Sequence, residues 1–124
     1  MKIVSWNLNG LATCVKNDYF DPFYELLPDV ICCQETKATE ALTVIDGYNH
    51  YYLPASDERY CGNLIMTLEE PLNVIFGMND DLYDEEPRVL TVEFEKYYIV
   101  NTYVPSVADK LERRIYRIGW SKAY

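Results

Sequence analysis

Hydrophobic and polar positions alternate with short periods along most of this chain. Lys2-Ile3-Val4-Ser5-Trp6-Asn7 reads as a buried strand that runs out at the loop signal Asn9-Gly10. Asp21-Pro22 predicts a helix start, with Asp21 as N-cap and Pro22 at the first helical position. Phe23, Leu26 and Leu27 would form its apolar side, and Pro28 would end it. The stretch from Leu11 to Phe20 adds a turn or two of helix, broken at Pro22. Val30 to Glu35 is a second strand, apolar on both faces until its polar end. Short strands then follow at Tyr48 to Leu53, Gly62 to Leu68, Leu72 to Phe76, Arg88 to Phe94 and Tyr98 to Tyr103. Turn clusters such as Ser56-Asp57-Glu58 and Asn79-Asp80-Asp81 separate them, and Glu95-Lys96 forms a hairpin tip. From Asp109 to Tyr124 the period lengthens to that of a helix, with Leu111, Ile115, Ile118 and Ala123 on one side.

A strand, helix and strand followed by consecutive short strands predict an α/β (α+β) domain with a mixed, mostly antiparallel sheet and flanking helices. The 124 residues suffice for one domain, and neither a linker nor an internal repeat divides them. No apolar run approaches the roughly 20 residues of a membrane helix, and the start of the chain lacks the pattern of a signal peptide. A cytoplasmic protein with no membrane association is the expectation. The four cysteines, Cys14, Cys32, Cys33 and Cys61, contain no CxxC pair and no neighbouring histidine. They predict reduced, buried thiols, with Cys32 and Cys33 on opposite faces of a strand.

The net charge of −9 argues against indiscriminate nucleic-acid binding, but the charge is unevenly spread. Residues 1–104 hold 6 basic and 18 acidic side chains, whereas residues 105–124 hold 5 basic and 2 acidic ones. The last helix could therefore face a phosphate backbone. The single histidine, His50, lies inside a strand and reads as structural or superficial.

Asn7, Glu35 and Tyr103 sit where three strands run out, the position at which sites gather in α/β sheets. A carboxylate held rigidly after a buried strand suits a magnesium ion, which takes oxygen ligands and typically one or two carboxylates. Each residue alone has an ordinary reading: a solvated glutamate, a turn asparagine, one of 12 tyrosines. Their contexts point further. Ser5-Trp6-Asn7-Leu8-Asn9-Gly10-Leu11, then Pro28-Asp29-Val30-Ile31-Cys32-Cys33-Gln34-Glu35-Thr36-Lys37, then Val100-Asn101-Thr102-Tyr103-Val104-Pro105 occur in that order. Together they resemble the exodeoxyribonuclease III and abasic-site endonuclease family of the endonuclease/exonuclease/phosphatase superfamily. Tyr60-Cys61-Gly62, Arg88-Val89-Leu90 and the span from Leu111 through Arg117 to Trp120 add weaker matches.

The resemblance implies the first half of a two-sheet sandwich, contributed here as one sheet whose inner face lacks its partner layer. It implies magnesium, with manganese as an alternative, bound by Glu35 with Asn9 in or near the outer shell. Asn7 would orient water and carboxylate, and Tyr103 would contact the scissile phosphate. Lys37, Tyr60, Arg113 and Arg117 would touch the DNA backbone. The implied reaction is phosphodiester hydrolysis in base excision repair, on double-stranded DNA with abasic or 3′-blocked sites. Ala12 stands where the family usually has arginine, and Ser106 where it usually has asparagine. Glu86-Pro87-Arg88 stands where the family usually has Glu-Gly-Arg. The family's Gly-Asp-x-Asn and Ser-Asp-His segments have no counterpart within these 124 residues. Residues 1–124 are accordingly expected to be a partial domain, inactive until joined to a C-terminal half. A non-catalytic remnant that only binds, and a phosphatase of the same superfamily, are the alternative readings.

Overall fold

A computed structural model of the chain describes residues 1–57, 60–107 and 110–124. Glu58 of one predicted turn and Asp109 at the predicted start of the last helix lie outside them. The elements run β1 (Ile3–Asn7), α1 (Leu11–Lys16), α2 (Asp21–Leu26), β2 (Val30–Gln34), β3 (Asn49–Leu53), β4 (Asn63–Thr67), β5 (Asn73–Phe76), β6 (Val89–Glu93), β7 (Tyr98–Thr102) and α3 (Leu111–Ala123). Among the described residues no helix is long and apolar enough to cross a membrane.

Every predicted strand is present, but they form two sheets where one was expected. The first has the order β1-β2-β4-β3; β1 and β2 are parallel and the other pairs antiparallel. The second is the antiparallel sheet β5-β6-β7. They pack face to face, with Val30, Cys32 and Ile65 against Leu90, Val92 and Phe94. The other face of the first sheet carries Ile31, Cys33, Leu64 and Met66, covered by Leu8, Leu11, Cys14, Phe20, Phe23 and Ile45. Strands β2 and β4 are thus buried on both sides, which is why their sequences are continuously apolar. The missing partner layer is supplied within the chain, because the turn at residues 68–72 carries β5–β7 back over the first sheet. Cys32 and Cys33 do take opposite faces, and all four thiols are free and buried.

The helices depart from expectation in detail. Helix α2 begins one residue early, so Phe20 takes the cap position without a side-chain cap, and Asp21 sits in the first turn. Only Phe23 of its apolar side is buried; the helix is too short to turn Leu26 and Leu27 inward. In α3 the predicted apolar stripe faces outward, with Leu111, Ile115 and Ile118 exposed at 71%, 64% and 58%. Tyr116 and Trp120 occupy the opposite side of the helix, and that is the side that packs. Trp120 is buried and stacks on Tyr124 at 5.1 Å, while Tyr116 meets Tyr83 edge-on at 5.5 Å. The two rings, and not the aliphatic stripe, are the side of the helix that packs in this structure.

Candidate active site

The parallel register that opposes Asn7 to Gln34 brings the polar ends of β1 and β2 side by side, and Glu35 follows directly. Backbone bonds then zip the two loops together: Leu8 N–H to the Gln34 carbonyl at 2.9 Å, Gly10 to Glu35 at 2.9 Å, and Leu11 to Thr36 at 2.7 Å. Thr36 and Lys37 donate in turn to the carbonyls of Gly62 and Cys61, both at 3.0 Å. This lattice holds Asn9, Glu35 and Lys37 in left-handed backbone conformations at φ near 50°, 51° and 52°, which non-glycine residues rarely adopt. Such strain concentrates at functional sites.

The side chains converge. Asn7 Nδ2 donates to Glu35 Oε1 at 2.8 Å, and the Asn9 N–H donates to Asn7 Oδ1 at 3.1 Å. Lys37 Nζ donates to Asn9 Oδ1 at 2.5 Å and lies 3.9 Å from Glu35 Oε2. Tyr103, just past β7, brings its hydroxyl to the Glu35 carboxylate from the second sheet. Burial, and then hydrogen bonding to Glu35, push that hydroxyl up to about 12. A cavity of about 590 Å³ opens beside Asn9 and Lys37, lined also by Leu11, Thr36, Thr39 and Leu42.

Tyr60 and Arg113 form a second group. Arg113 donates to Glu86 Oε1 at 2.7 Å and to the Tyr60 hydroxyl at 2.6 Å. Burial pushes the Glu86 carboxyl up, but hydrogen bonds from Arg113 and Arg88 outweigh it and hold the group below the ordinary carboxylate range. Arg117 lies one turn further along α3, donating to the Pro105 carbonyl at 3.4 Å with its guanidinium 5.9 Å from the Trp120 ring. Lys110, Arg114 and Lys122 are the basic residues around α3 that face solvent. The structure thus gathers Asn7, Asn9, Glu35, Lys37 and Tyr103 into one cluster and Tyr60 with Arg113 into another. Arg88, which sequence reasoning used only as a weak motif match, joins them. Its sole signal was Glu86 placed two residues earlier, at the mouth of a buried strand.

The donor set suits a hard cation. The Glu35 carboxylate and the amide oxygens of Asn7 and Asn9 are hard oxygen ligands, and in this structure the two amide oxygens accept the Asn9 N–H and the Lys37 ammonium. Among the described residues no three His, Cys, Asp or Glu side chains cluster. One carboxylate with amide oxygens is the ligand chemistry that magnesium takes, with waters and phosphate completing its shell, whereas zinc takes nitrogen and sulfur.

No family model matches the chain. It is, however, 37% identical over 126 residues to the exodeoxyribonuclease of Bacillus subtilis, an alignment covering 99% of this chain and 50% of that protein. The chain is homologous to exodeoxyribonucleases and AP endonucleases. The DNA repair nuclease APEX1 of Danio rerio is 38% identical over 127 residues, with 97% of this chain and 41% of that protein covered. Among solved structures, an AP endonuclease from Archaeoglobus fulgidus superposes with a TM-score of 0.83 at 26% identity, over 99% of this chain and 49% of that one. A 3′-5′ exonuclease from Neisseria meningitidis shares the fold with a TM-score of 0.82. The chain spans about half the length of the curated relatives it matches.

Proposed function

We propose that residues 1–124 form one side of a magnesium-dependent DNA phosphodiesterase site of the exodeoxyribonuclease and abasic-site endonuclease type. The carrying observation is the meeting of Asn7, Glu35 and Tyr103, from the ends of β1, β2 and β7, at hydrogen-bonding range. In this reading Glu35 holds the metal, with manganese as the alternative ion and Asn9 in its outer shell. When bound, the ion supplies charge neutralisation at the phosphate and acidifies a water. Asn7 fixes the rotation of the Glu35 carboxylate through Nδ2 and helps orient the attacking water. Tyr103, whose phenol is protonated at neutral pH, donates to a non-bridging phosphate oxygen as charge develops there. Lys37, Tyr60, Arg113 and Arg117 would position the backbone of duplex DNA bearing abasic or 3′-blocked sites without reading bases. The relatives named as AP endonucleases and exodeoxyribonuclease support this substrate class. Four free, buried thiols suit the reducing cytoplasm.

The site as assembled holds a metal carboxylate and a phosphate donor but no histidine or second carboxylate beside Glu35 among the described residues. General acid–base groups contribute roughly 10²–10⁴ each. We therefore propose that cleavage needs a complementary half, matching the length of the relatives that this chain does not span. The test incubates residues 1–124 with Mg²⁺ and an abasic duplex, alone and with the complementary half of a relative. Cleavage only in the mixture is expected, and Glu35→Ala should abolish it. Robust cleavage by residues 1–124 alone would refute the shared site. Silence in the mixture, with both parts folded, would favour a binding remnant.

A further inference from the structure

The space between the two sheets is apolar along most of its length and changes character beneath the site. Cys32, Ile65 and Ile99 pack there with Leu90 and Val92. The next residues on the same strand faces are Gln34, Asn63 and Asn101, three amides, of which Asn63 and Asn101 are 0% and 2% exposed. Gln34 Nε2 donates to Asn101 Oδ1 at 2.6 Å and to Ser5 Oγ at 3.0 Å. Asn101 Nδ2 donates to the carbonyls of Cys33 at 2.9 Å and Leu64 at 3.0 Å. Asn63 Nδ2 donates to the Arg88 carbonyl at 2.6 Å, and that carbonyl also accepts the Tyr103 N–H at 2.8 Å. A buried amide is costly unless bonded, and once bonded it fixes distance and direction as an apolar contact does not. The bonded chain from Ser5 through Gln34 to Asn101 touches each strand that carries the site. Ser5 lies two residues before Asn7 on β1, Gln34 directly before Glu35 on β2, and Asn101 two residues before Tyr103 on β7.

We propose that Gln34 and Asn101 are positioning residues of the site, an amide tie that sets how β7 stands over β1 and β2 and so keeps Asn7, Glu35 and Tyr103 within reach of one another. The inference rests on the functional reading of that cluster, but its first test needs neither substrate nor metal. A tie that only stabilises the fold and a tie that places the site have different consequences. Loss of stability alone lowers the melting temperature and leaves the geometry of the folded molecules as it was. Loss of position loosens the bond from Asn7 Nδ2 to Glu35 Oε1, 2.8 Å long in this structure, in molecules that remain folded.

The experiment follows the Asn7 side-chain amide by ¹H–¹⁵N NMR in residues 1–124, with Asn7→Asp to assign the signal. Gln34→Met keeps the length of the side chain and removes its donors, and Asn101→Leu cuts the tie from β7. In each, the Asn7 amide should shift toward the position of a free asparagine and exchange about tenfold faster, as expected when roughly one net hydrogen bond is lost. Ile65→Val thins the same interlayer core without touching the tie. It should lower the melting temperature and leave the Asn7 amide in place. An unmoved Asn7 amide in either folded tie variant overturns the proposal, and so does an equal movement in Ile65→Val. If circular dichroism shows both tie variants unfolded, Ser5→Ala decides, because Ser5 is exposed and its hydroxyl is the end of the tie on β1. A moved amide there supports the tie and an unmoved one overturns it. In the two-part nuclease, Gln34→Met should lower kcat by roughly 10²-fold, the cost of about 1 Å of misplacement, with KM changed far less. A rise in KM alone would make the tie a support for DNA binding and overturn its positioning role. Should the parent nuclease not cleave DNA at all, the functional reading fails while the Asn7 amide still judges the tie.

Discussion

At the scale of single residues, protonation states separate the site from its supports. Tyr103 is kept neutral by burial and by Glu35, so its useful property is a hydrogen-bond donor that survives to alkaline pH. Tyr103→Phe in the two-part nuclease should therefore cut kcat by roughly 10²–10³-fold, the usual cost of one donor to a developing oxyanion, in a single-turnover assay, with the fold unchanged. His50 works by the opposite shift. Its Nδ1 lies 2.9 Å from the Tyr48 carbonyl, and Nε2 accepts the N–H groups of Val44 at 3.1 Å and Ile45 at 3.4 Å. These contacts define a neutral ring protonated on Nδ1, and burial holds its pKa below 6.5. A depressed pKa contributes stability that is present above the unfolded value and is lost as pH falls through the folded value. The second proton would land on Nε2, facing two N–H donors beside the buried Ile45. The melting temperature should drop as pH falls from 7.5 to 5, and His50→Gln should flatten that slope. An equal slope in the variant would assign the acid sensitivity elsewhere. The structural reading of His50 from sequence was right, but its acceptor role needed the 44–48 loop in place.

At the scale of elements, the positions where one loop supports another are the sensitive ones. Gly62 opens β4 at φ 86°, and a Cβ there would meet Thr36 Oγ1 at 2.3 Å and the Ala55 nitrogen at 3.2 Å. Thr36 is buried and lies between Glu35 and Lys37. Gly62→Ala should cost roughly 2–3 kcal/mol from left-handed strain plus displacement, measured by urea denaturation, and should also reduce rescued nuclease activity. An unchanged midpoint would mean the loop relaxes freely. The strands themselves were legible in sequence, since apolar runs bounded by turn residues leave little freedom of assignment. The division into two sheets was not, because it depends on the return of β5–β7 across Val30, Cys32 and Ile65, a contact without local signature. The rotation of α3 was misread because period alone favoured Leu111, Ile115 and Ile118, while ring size favoured Tyr116 and Trp120. For the site, Asn7 and Glu35 were legible because each ends a strand in a distinctive context, and parallel pairing then made them neighbours. Arg88 was hidden because its partners Tyr60 and Tyr103 lie 28 and 15 residues away.

At the scale of the whole molecule, the flank formed by β1 and β7 is open. Strand β7 lies over β2 and β4, and β6 lies over β4 and β3, so β1 projects beyond the second sheet. Val4 and Trp6 pack against the helices. Ile3, on the other face of β1, is left 45% exposed, and Tyr98 and Val100 on β7 are exposed at 58% and 47%. On this flank the edge strands β1 and β7 present unpaired backbone and apolar side chains along their length, and Asn7 and Tyr103 lie at their C-terminal ends. Gln34, bonded to Ser5 Oγ at 3.0 Å and Asn101 Oδ1 at 2.6 Å, bridges the two sheets there, and Asn101 Nδ2 adds bonds to the carbonyls of Cys33 at 2.9 Å and Leu64 at 3.0 Å. Open, flat edges of this kind invite pairing with another chain. A preparation of residues 1–124 should accordingly self-associate with rising concentration in sedimentation velocity, and Ile3→Lys with Val100→Lys should restore the monomer by placing charge on both edges. The complementary half of a relative should compete with self-association and raise the melting temperature by mass action. If the double variant associates as readily as the parent, the flank is not the seam. The outward stripe of α3, Leu111, Ile115 and Ile118, is then the next surface to charge, with Ile115→Glu as the decisive variant. The flank makes the stronger case because it offers backbone hydrogen bonds as well as apolar area, and because closing it would bring new side chains to the rim where Glu35 sits.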